Sequence, residues 1–209
     1  MEFLYHVIDL FLHLDQHLTT LFEAYGMVTY ILLFLIVFCE TGLVIAPFLP
    51  GDSLLFAVGA LSASIAEPPG GIGGVAALLA VAAILGDAVN YSVGAWAGPS
   101  IFGRYLNRNH LQRAQNFYEQ HGGKTIIFAR FIPIIRTYAP FIAGCTKMAY
   151  GRFALYNVVG GIAWVVLLLF GGYFFGNIPA VKSNFSAVIL AIIFISILPV
   201  VVEFAKSRR

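Results

Sequence analysis

Long apolar runs broken by short polar stretches set the pattern of this chain. Leu4, Val7, Ile8, Phe11, Leu14, Leu18, Leu21 and Phe22 recur at helical spacing. That predicts an amphipathic helix over 3–24, within an N-terminal segment 1–26 that lies along a membrane face. Residues 27–49 are almost wholly apolar apart from Glu40, and they run into Ala46-Pro47-Phe48-Leu49-Pro50-Gly51-Asp52. The next apolar run, 53–66, is too short to cross a bilayer as a helix. Two prolines and a glycine between apolar arms predict a re-entrant hairpin over 27–66, since broken backbone at membrane depth needs cover from protein or water. The glycine run at 70–74 reads as a turn into the next helix. A spanning helix rich in Ala and Gly is predicted over 74–98. Residues 99–124 carry Arg104, Arg108, Arg113 and Lys124 beside an apolar stripe of Leu111, Ala114, Phe117 and Tyr118. This segment reads as a basic interfacial helix or as a solvated loop with a short helix. Residues 125–150 are apolar but interrupted by Arg130, Pro133, Arg136 and Pro140, which predicts a second re-entrant hairpin. Apolar helices of spanning length follow at 153–175 and 185–204.

The two hairpins resemble each other. Phe48-Leu49-Pro50 matches Phe131-Ile132-Pro133, and Gly59-Ala60 matches Ala143-Gly144. Each is followed by a helix bearing an asparagine, Asn90 or Asn157. The expected fold is a single all-α integral membrane domain over 1–209. It has two inverted-repeat-like re-entrant hairpins, three spanning helices and amphipathic interfacial helices.

Composition places this pattern in lipid. Of 209 residues, 60% are hydrophobic and 11% charged, and the mean hydropathy is +0.88. A typical globular protein is about 25% charged, and a soluble domain of this size could not bury so much apolar surface. Disordered, disulfide-scaffold and nucleic-acid-binding classes are thereby excluded. Cys39 and Cys145 lie in apolar stretches, so no disulfide is read from them. The first 27 residues hold four acids, three histidines and no Lys or Arg, unlike the basic start of a signal peptide. His13 and His17 have the i, i+4 spacing of a metal pair, but no third ligand is near, and they read as interfacial histidines. No metal or cofactor is expected.

Charge distribution sets an orientation. With both hairpins re-entrant, Arg104, Arg108, Arg113, Lys124, Lys147, Arg152, Lys206, Arg208 and Arg209 share one side, and Lys182 stands alone on the other. The positive-inside rule puts the nine-cation side and the C-terminus in the cytoplasm, and the N-terminus on the outer side. A full crossing by 27–49 would move residues 1–26 inside; they carry no cation, and the matching second hairpin favours re-entry.

Five charged residues fall inside apolar segments: Glu40, Asp52, Asp87, Arg130 and Arg136. Each costs about 2.5–3.5 kcal/mol at a helix centre on insertion scales, so such groups face protein or a wet cavity and mark function. Four of them sit in or beside the hairpins, acids on one and bases on the other. Arg130 and Arg136 are six residues apart, which an unbroken helix would turn to different faces. Pro133 breaks the helix and lets them converge. Two guanidinium forks suit a phosphate, and half-helix N-termini after Pro50 and Pro133 add free N–H groups. Glu40 and Asp52 are candidate proton-coupling groups, pulled one way by burial and the other by an arginine. Structural salt bridges are the bland alternative. Asp87 and Asn90 read equally as helix-packing glue or as cavity lining. Asn157, Pro50, Gly51, Ser53, Pro133 and Thr137 complete the candidate lining.

At these residues the sequence resembles the DedA family of bacterial inner-membrane proteins, related to the eukaryotic VTT-domain lipid scramblases. The resemblance rests on Phe38-Cys39-Glu40-Thr41-Gly42, Phe48-Leu49-Pro50-Gly51-Asp52-Ser53, Gly86-Asp87-Ala88-Val89-Asn90-Tyr91, and Phe128-Ala129-Arg130-Phe131-Ile132-Pro133 continuing to Arg136 and Ala143-Gly144. It covers essentially the whole chain. The resemblance implies two facing re-entrant hairpins, and a need for acids at Glu40 and Asp52 and arginines at Arg130 and Arg136. It also implies roles in membrane potential, envelope integrity and drug resistance, and in some members the return of undecaprenyl phosphate across the membrane.

The function expected first is therefore a lipid-phosphate translocase driven by protons. Its partners are membrane lipids, polyprenyl phosphate and protons, and a homo-oligomer is left open. A proton- or cation-coupled carrier of a small solute is the alternative. A non-transporting assembly factor with a structural charge cluster is a further one. An enzyme is not expected. Pro50-Gly51-Asp52-Ser53 is faintly similar to a polyprenyl-pyrophosphatase motif, but no Arg-Ser follows Ser53, and no G-x-S-x-G or HExxH occurs.

Overall fold

A computed structural model describes residues 20–22, 24–43, 51–62, 70–105, 124–176, 178, 179 and 188, omitting the side chains of 98–105, 133 and 134. Of the expected segments 3–24, 27–66, 99–124 and 185–204, residues 3–19, 23, 44–50, 63–66, 106–123, 185–187 and 189–204 lie outside the described residues, and with them His13, His17 and the proline break of the first expected hairpin. Every regular element among the described residues is an α-helix: α1 (Met27–Gly42), α2 (Gly51–Ser62), α3 (Gly71–Tyr105), α4 (Lys124–Ala129), α5 (Pro133–Cys145) and α6 (Tyr150–Gly176).

Two of these helices are long and apolar enough to cross a bilayer, over Gly71–Ala97 and Tyr150–Gly176. Their exposure pattern shows which solvent they meet. On α3, Leu85 is 47% and Val89 43% exposed, whereas Asp87 is 2% and Asn90 0% exposed. On α6, Leu155, Val159 and Leu167 are exposed while Asn157 is buried. Apolar outside and polar inside is the arrangement of a helix whose solvent is lipid.

α3 is longer at both ends than the expected 74–98. Gly70 and Gly71 take φ of +75° and +64°, so the turn is made there and the ladder begins at once, with Gly74 N donating to Gly70 O at 3.0 Å. At the other end the helix continues to Tyr105, into the segment expected to be interfacial. A shift to polar composition changes the solvent that a helix meets; it does not end the hydrogen-bond ladder.

The chain groups into two compact units. One takes in Met1–Phe34, Pro50–Leu79 and Val165–Arg209; the other takes in Leu35–Leu49 and Ala80–Trp164. In the first unit, α2 crosses the C-terminal half of α6 at glycine contacts. A Cβ on Gly59 would lie 2.0 Å from Leu169 O, and one on Gly172 would lie 2.0 Å from Phe56 O. In the second unit, α5 crosses α3 the same way. A Cβ on Gly144 would lie 2.1 Å from Tyr91 O, and one on Gly94 would lie 2.1 Å from Phe141 O. Each crossing therefore pairs two x-x-x-Gly segments, the glycine of one helix against the carbonyl three residues before the glycine of the other. Such small-residue crossings bring backbones close enough for van der Waals packing to hold helices in lipid. The two short helices thus make the same kind of glycine crossing, each within its own unit.

The 125–150 segment is broken between two helices where proline predicts. α4 ends at Ala129, and Arg130, Phe131 and Ile132 form tight turns whose amides donate to Ile127, Phe128 and Ala129 carbonyls at 3.1–3.2 Å. Ile132 is extended, with Pro133 opening α5, as suits a residue before proline. α5 ends in a Schellman motif: Lys147 N donates to Gly144 O at 3.0 Å and Met148 N to Ala143 O at 3.0 Å. Lys147 holds the left-handed position at φ +55°. Lys147→Gly should therefore raise stability by about 0.5–1 kcal/mol, read as a higher melting temperature in detergent. A lower melting temperature would show that the lysine side chain matters more than its strained backbone. Below the motif, Tyr91 stacks on Phe153 at 4.5 Å within a core of Ile126, Ala129, Ala139 and Ala143, and its hydroxyl donates to Met148 O.

Candidate functional site

The second unit gathers four of the five charges from apolar segments. Their convergence begins with a close crossing of α1 and α3. A Cβ on Gly86 would fall 1.9 Å from Thr41 Oγ1 and 2.7 Å from Phe38 O, so only glycine fits. The crossing sets Glu40 and Asp87 on neighbouring turns of adjacent helices. Thr41 turns its hydroxyl back to Val37 O at 2.9 Å. Thr41 O lies in the last turn of α1, where carbonyls take partners from outside the helix. Asn90 supplies the donor: its Nδ2 gives one hydrogen bond to Thr41 O at 3.0 Å and another to Thr137 O at 2.8 Å. Asn90 thus ties α1 and α5 to α3.

Two buried ion pairs occupy this frame. Arg136 Nη2 pairs with Glu40 Oε1. Arg130 Nη1 pairs with Asp87 Oδ2 at 2.7 Å and also donates to Asn157 Oδ1 at 2.8 Å. Asn157 is fixed in turn by its Nδ2, which donates to Ile84 O at 3.0 Å. All four charged residues are almost wholly buried. The break between α4 and α5 does what the spacing demands: both guanidinium carbons face the ring of Trp164, Arg136 at 4.6 Å and Arg130 at 5.7 Å from its centroid. α6 can approach this closely because a Cβ on Gly161 would lie only 2.9 Å from Ile84 and 3.5 Å from the Arg130 guanidinium carbon.

The pairing is partly satisfied. Asp87 Oδ1, Asn90 Oδ1, and Arg130 Nε and Nη2 are buried without a hydrogen-bond partner. Nε and Nη2 form one whole edge of the guanidinium. Formally the cluster balances, two arginines against two carboxylates.

Asp52 belongs to the first unit, half-buried in the first turn of α2 behind a buried Gly51 and beside a buried Ser53. An acid there complements the positive end of the α2 dipole. α5 opens with no acid in its first turn and no side-chain cap. Pro50 lies outside the described residues, and Pro133 is placed by its backbone at the start of α5.

Trp164 was not among the residues singled out in the sequence. It stands seven residues after Asn157, with Gly160 and Gly161 between, so a helix puts all of them on one face. It is 1% exposed, whereas the other tryptophan, Trp96, is 84% exposed. On the outward face of α3, Leu85, Ala88, Val89, Ser92, Val93 and Trp96, with Phe38 of α1, line an apolar groove of about 480 Å3.

The chain has relatives among known proteins. The VTT domain matches residues 49–174. The chain is 50% identical over 213 residues to Protein DedA of Escherichia coli K12, covering 100% of this chain and 97% of the relative. It is 45% identical over 179 residues to a membrane protein of Mycobacterium tuberculosis, covering 84% of this chain and 78% of the relative. It is 40% identical over 154 residues to inner membrane protein YqjA of Escherichia coli K12, covering 72% of this chain and 69% of the relative. No solved structure matches significantly. Lipid-facing helices around a buried charge cluster, a VTT domain over more than half the chain, and full-length similarity to Protein DedA lead to one conclusion: the chain is a membrane protein of the DedA family.

Proposed function

We propose that the protein is a transporter that moves a lipid phosphate, undecaprenyl phosphate first among candidates, across the bacterial inner membrane with proton coupling. The observation that carries this reading is the placement of Arg130 and Arg136 on one tryptophan ring inside a lipid-facing unit. Two forked cations in a dry site suit a phosphate better than a hydroxyl, an amide or a metal ion. The apolar groove on the outward face of α3 suits a lipid tail, which a small-solute carrier would not need.

Charge balance supplies the argument for coupling. Two arginines and two acids already cancel, so an entering phosphate adds uncompensated negative charge in a low dielectric. A proton taken up by Glu40 offsets one unit of that charge, and Asp52 serves the other unit. In this reading 27–66 and 125–150 are re-entrant hairpins, and 74–98, 153–175 and 185–204 cross the membrane. The C-terminus is cytoplasmic and the N-terminus periplasmic. The protein works without a cofactor and is not an enzyme; its partners are lipid, polyprenyl phosphate and protons.

Proteoliposomes carrying a pH-sensitive dye test the coupling. With a pH gradient imposed, proton entry should rise when undecaprenyl phosphate is added and stay at background without it. Proton entry indifferent to the lipid would favour the small-solute carrier. Lipid movement without any proton entry would remove the coupling.

A further inference from the structure

Arg130 uses its guanidinium unevenly. Nη1 holds all three acceptors: Asp87 Oδ2 at 2.7 Å, Asn157 Oδ1 at 2.8 Å and, at a longer 3.4 Å, Asn157 O. The Nε and Nη2 atoms are buried and donate to nothing. Two unmatched buried donors cost about 1–3 kcal/mol each, more when charged. An arginine placed for structure alone would turn its fork onto the carboxylate and make two bonds. Here Asp87 meets only one nitrogen, and Asn157, held by Ile84 O at 3.0 Å, takes the same nitrogen again. Trp164 limits the plane, and Gly160 and Gly161, between Asn157 and Trp164 on α6, put no side chain of their own against the guanidinium.

We propose that Asp87 and Asn157 are positioning residues that pin Arg130 by Nη1, so that its Nε–Nη2 edge is presented as a two-point site for a phosphate monoester. Two adjacent N–H groups on one edge match two oxygens of one phosphate, and binding there leaves the Asp87 ion pair intact. The ligand therefore adds to the cluster without dismantling it. This inference rests on the lipid-phosphate reading for its choice of anion, while its test needs no transport.

The chain has two tryptophans, so a Trp96→Phe background leaves Trp164 as the sole reporter, in contact with both guanidinium groups. The full chain in detergent is titrated with dodecyl phosphate, laurate and inorganic phosphate. Dodecyl phosphate should change the Trp164 emission saturably, and laurate should bind more weakly. Asn157→Ala and Asp87→Ala each remove an acceptor and should weaken binding about tenfold. Asp87→Asn keeps an acceptor at Nη1 and should bind within about threefold of the parent.

Equal affinity in the parent, Asn157→Ala and Asp87→Ala would overturn the proposal, whatever their effect on the amount of folded protein. So would Asp87→Asn falling as far as Asp87→Ala, since charge rather than pinning would then be at work. If Asp87→Ala does not fold, the neutral Asn157→Ala carries the test. Inorganic phosphate binding as tightly as dodecyl phosphate, with the same variant pattern, would uphold the edge as a phosphate site but assign it to the free ion. The lipid reading would then fall and the pinned edge would stand. No saturable response to any of the three would remove the site.

Discussion

Replacing Arg136 with alanine is expected to abolish transport and to destabilise the fold by about 3–5 kcal/mol. Adding Glu40→Ala in the same chain is expected to recover most of that stability and none of the transport. The reasoning starts from burial. Glu40 and Arg136 are nearly inaccessible, and they pair across α1 and α5, far apart in sequence. Removing the arginine leaves a carboxylate in a dry site beside an aromatic ring, and that uncompensated charge is the costly state. Removing both leaves a void, which costs less, and α1 and α5 stay tied to Asn90 through Thr41 O and Thr137 O. Transport should respond differently because, in the proposed function, the guanidinium is what meets the phosphate. A melting temperature in detergent and a transport rate, read on the parent and three variants, complete the cycle. Recovery of transport along with stability in the double variant would assign the pair to structure.

The second large effect falls on a glycine. Gly172→Ala should disrupt the α2–α6 crossing, because the new methyl would lie 2.0 Å from Phe56 O, and backbone cannot swing aside as a side chain can. The expected loss is about 3 kcal/mol, at the upper end of overpacking costs, seen as poor recovery of folded protein. Gly171→Ala, one residue earlier on the same helix, is the control. Its Cβ would meet nothing within 4 Å, so the substitution should be neutral or gain up to about 1 kcal/mol from helix propensity. Gly94→Ala should act in the second unit as Gly172→Ala does in the first, and by moving α5 it should also misplace Arg136. Similar melting temperatures for Gly171→Ala and Gly172→Ala would mean that the crossing is looser than its geometry.

Much of this architecture was legible in the sequence because lipid makes polar residues conspicuous. Asp87, Arg130 and Arg136 stood out from their apolar surroundings for the same reason that they are buried: nothing outside the protein can solvate them. Pro133 announced the break that brings the two arginines onto one ring. The partners were not legible. Arg130 could have met Glu40, Asp52 or Asp87, and the choice follows from Gly86 and Gly161, which decide how closely α1, α3 and α6 approach. A glycine in an apolar run shows that close packing is available but not which carbonyl fills the space. Trp164 was passed over because a tryptophan in an apolar helix is ordinary; its place two turns from Asn157 was the available sign. The extension of α3 to Tyr105 was hidden because composition reports the solvent around a helix, while hydrogen bonding decides its length. Asn90 read equally as glue or as lining, and its two carbonyl contacts required three helices to be in place.

The central claim is that the buried guanidinium pair meets a lipid phosphate. Its most direct measurement is movement of labelled undecaprenyl phosphate between leaflets of proteoliposomes containing the parent, Arg130→Ala or Arg136→Ala, at matched amounts of folded protein. The account predicts movement well above protein-free vesicles with the parent and background rates with either variant. Parent-like rates in both variants would contradict it.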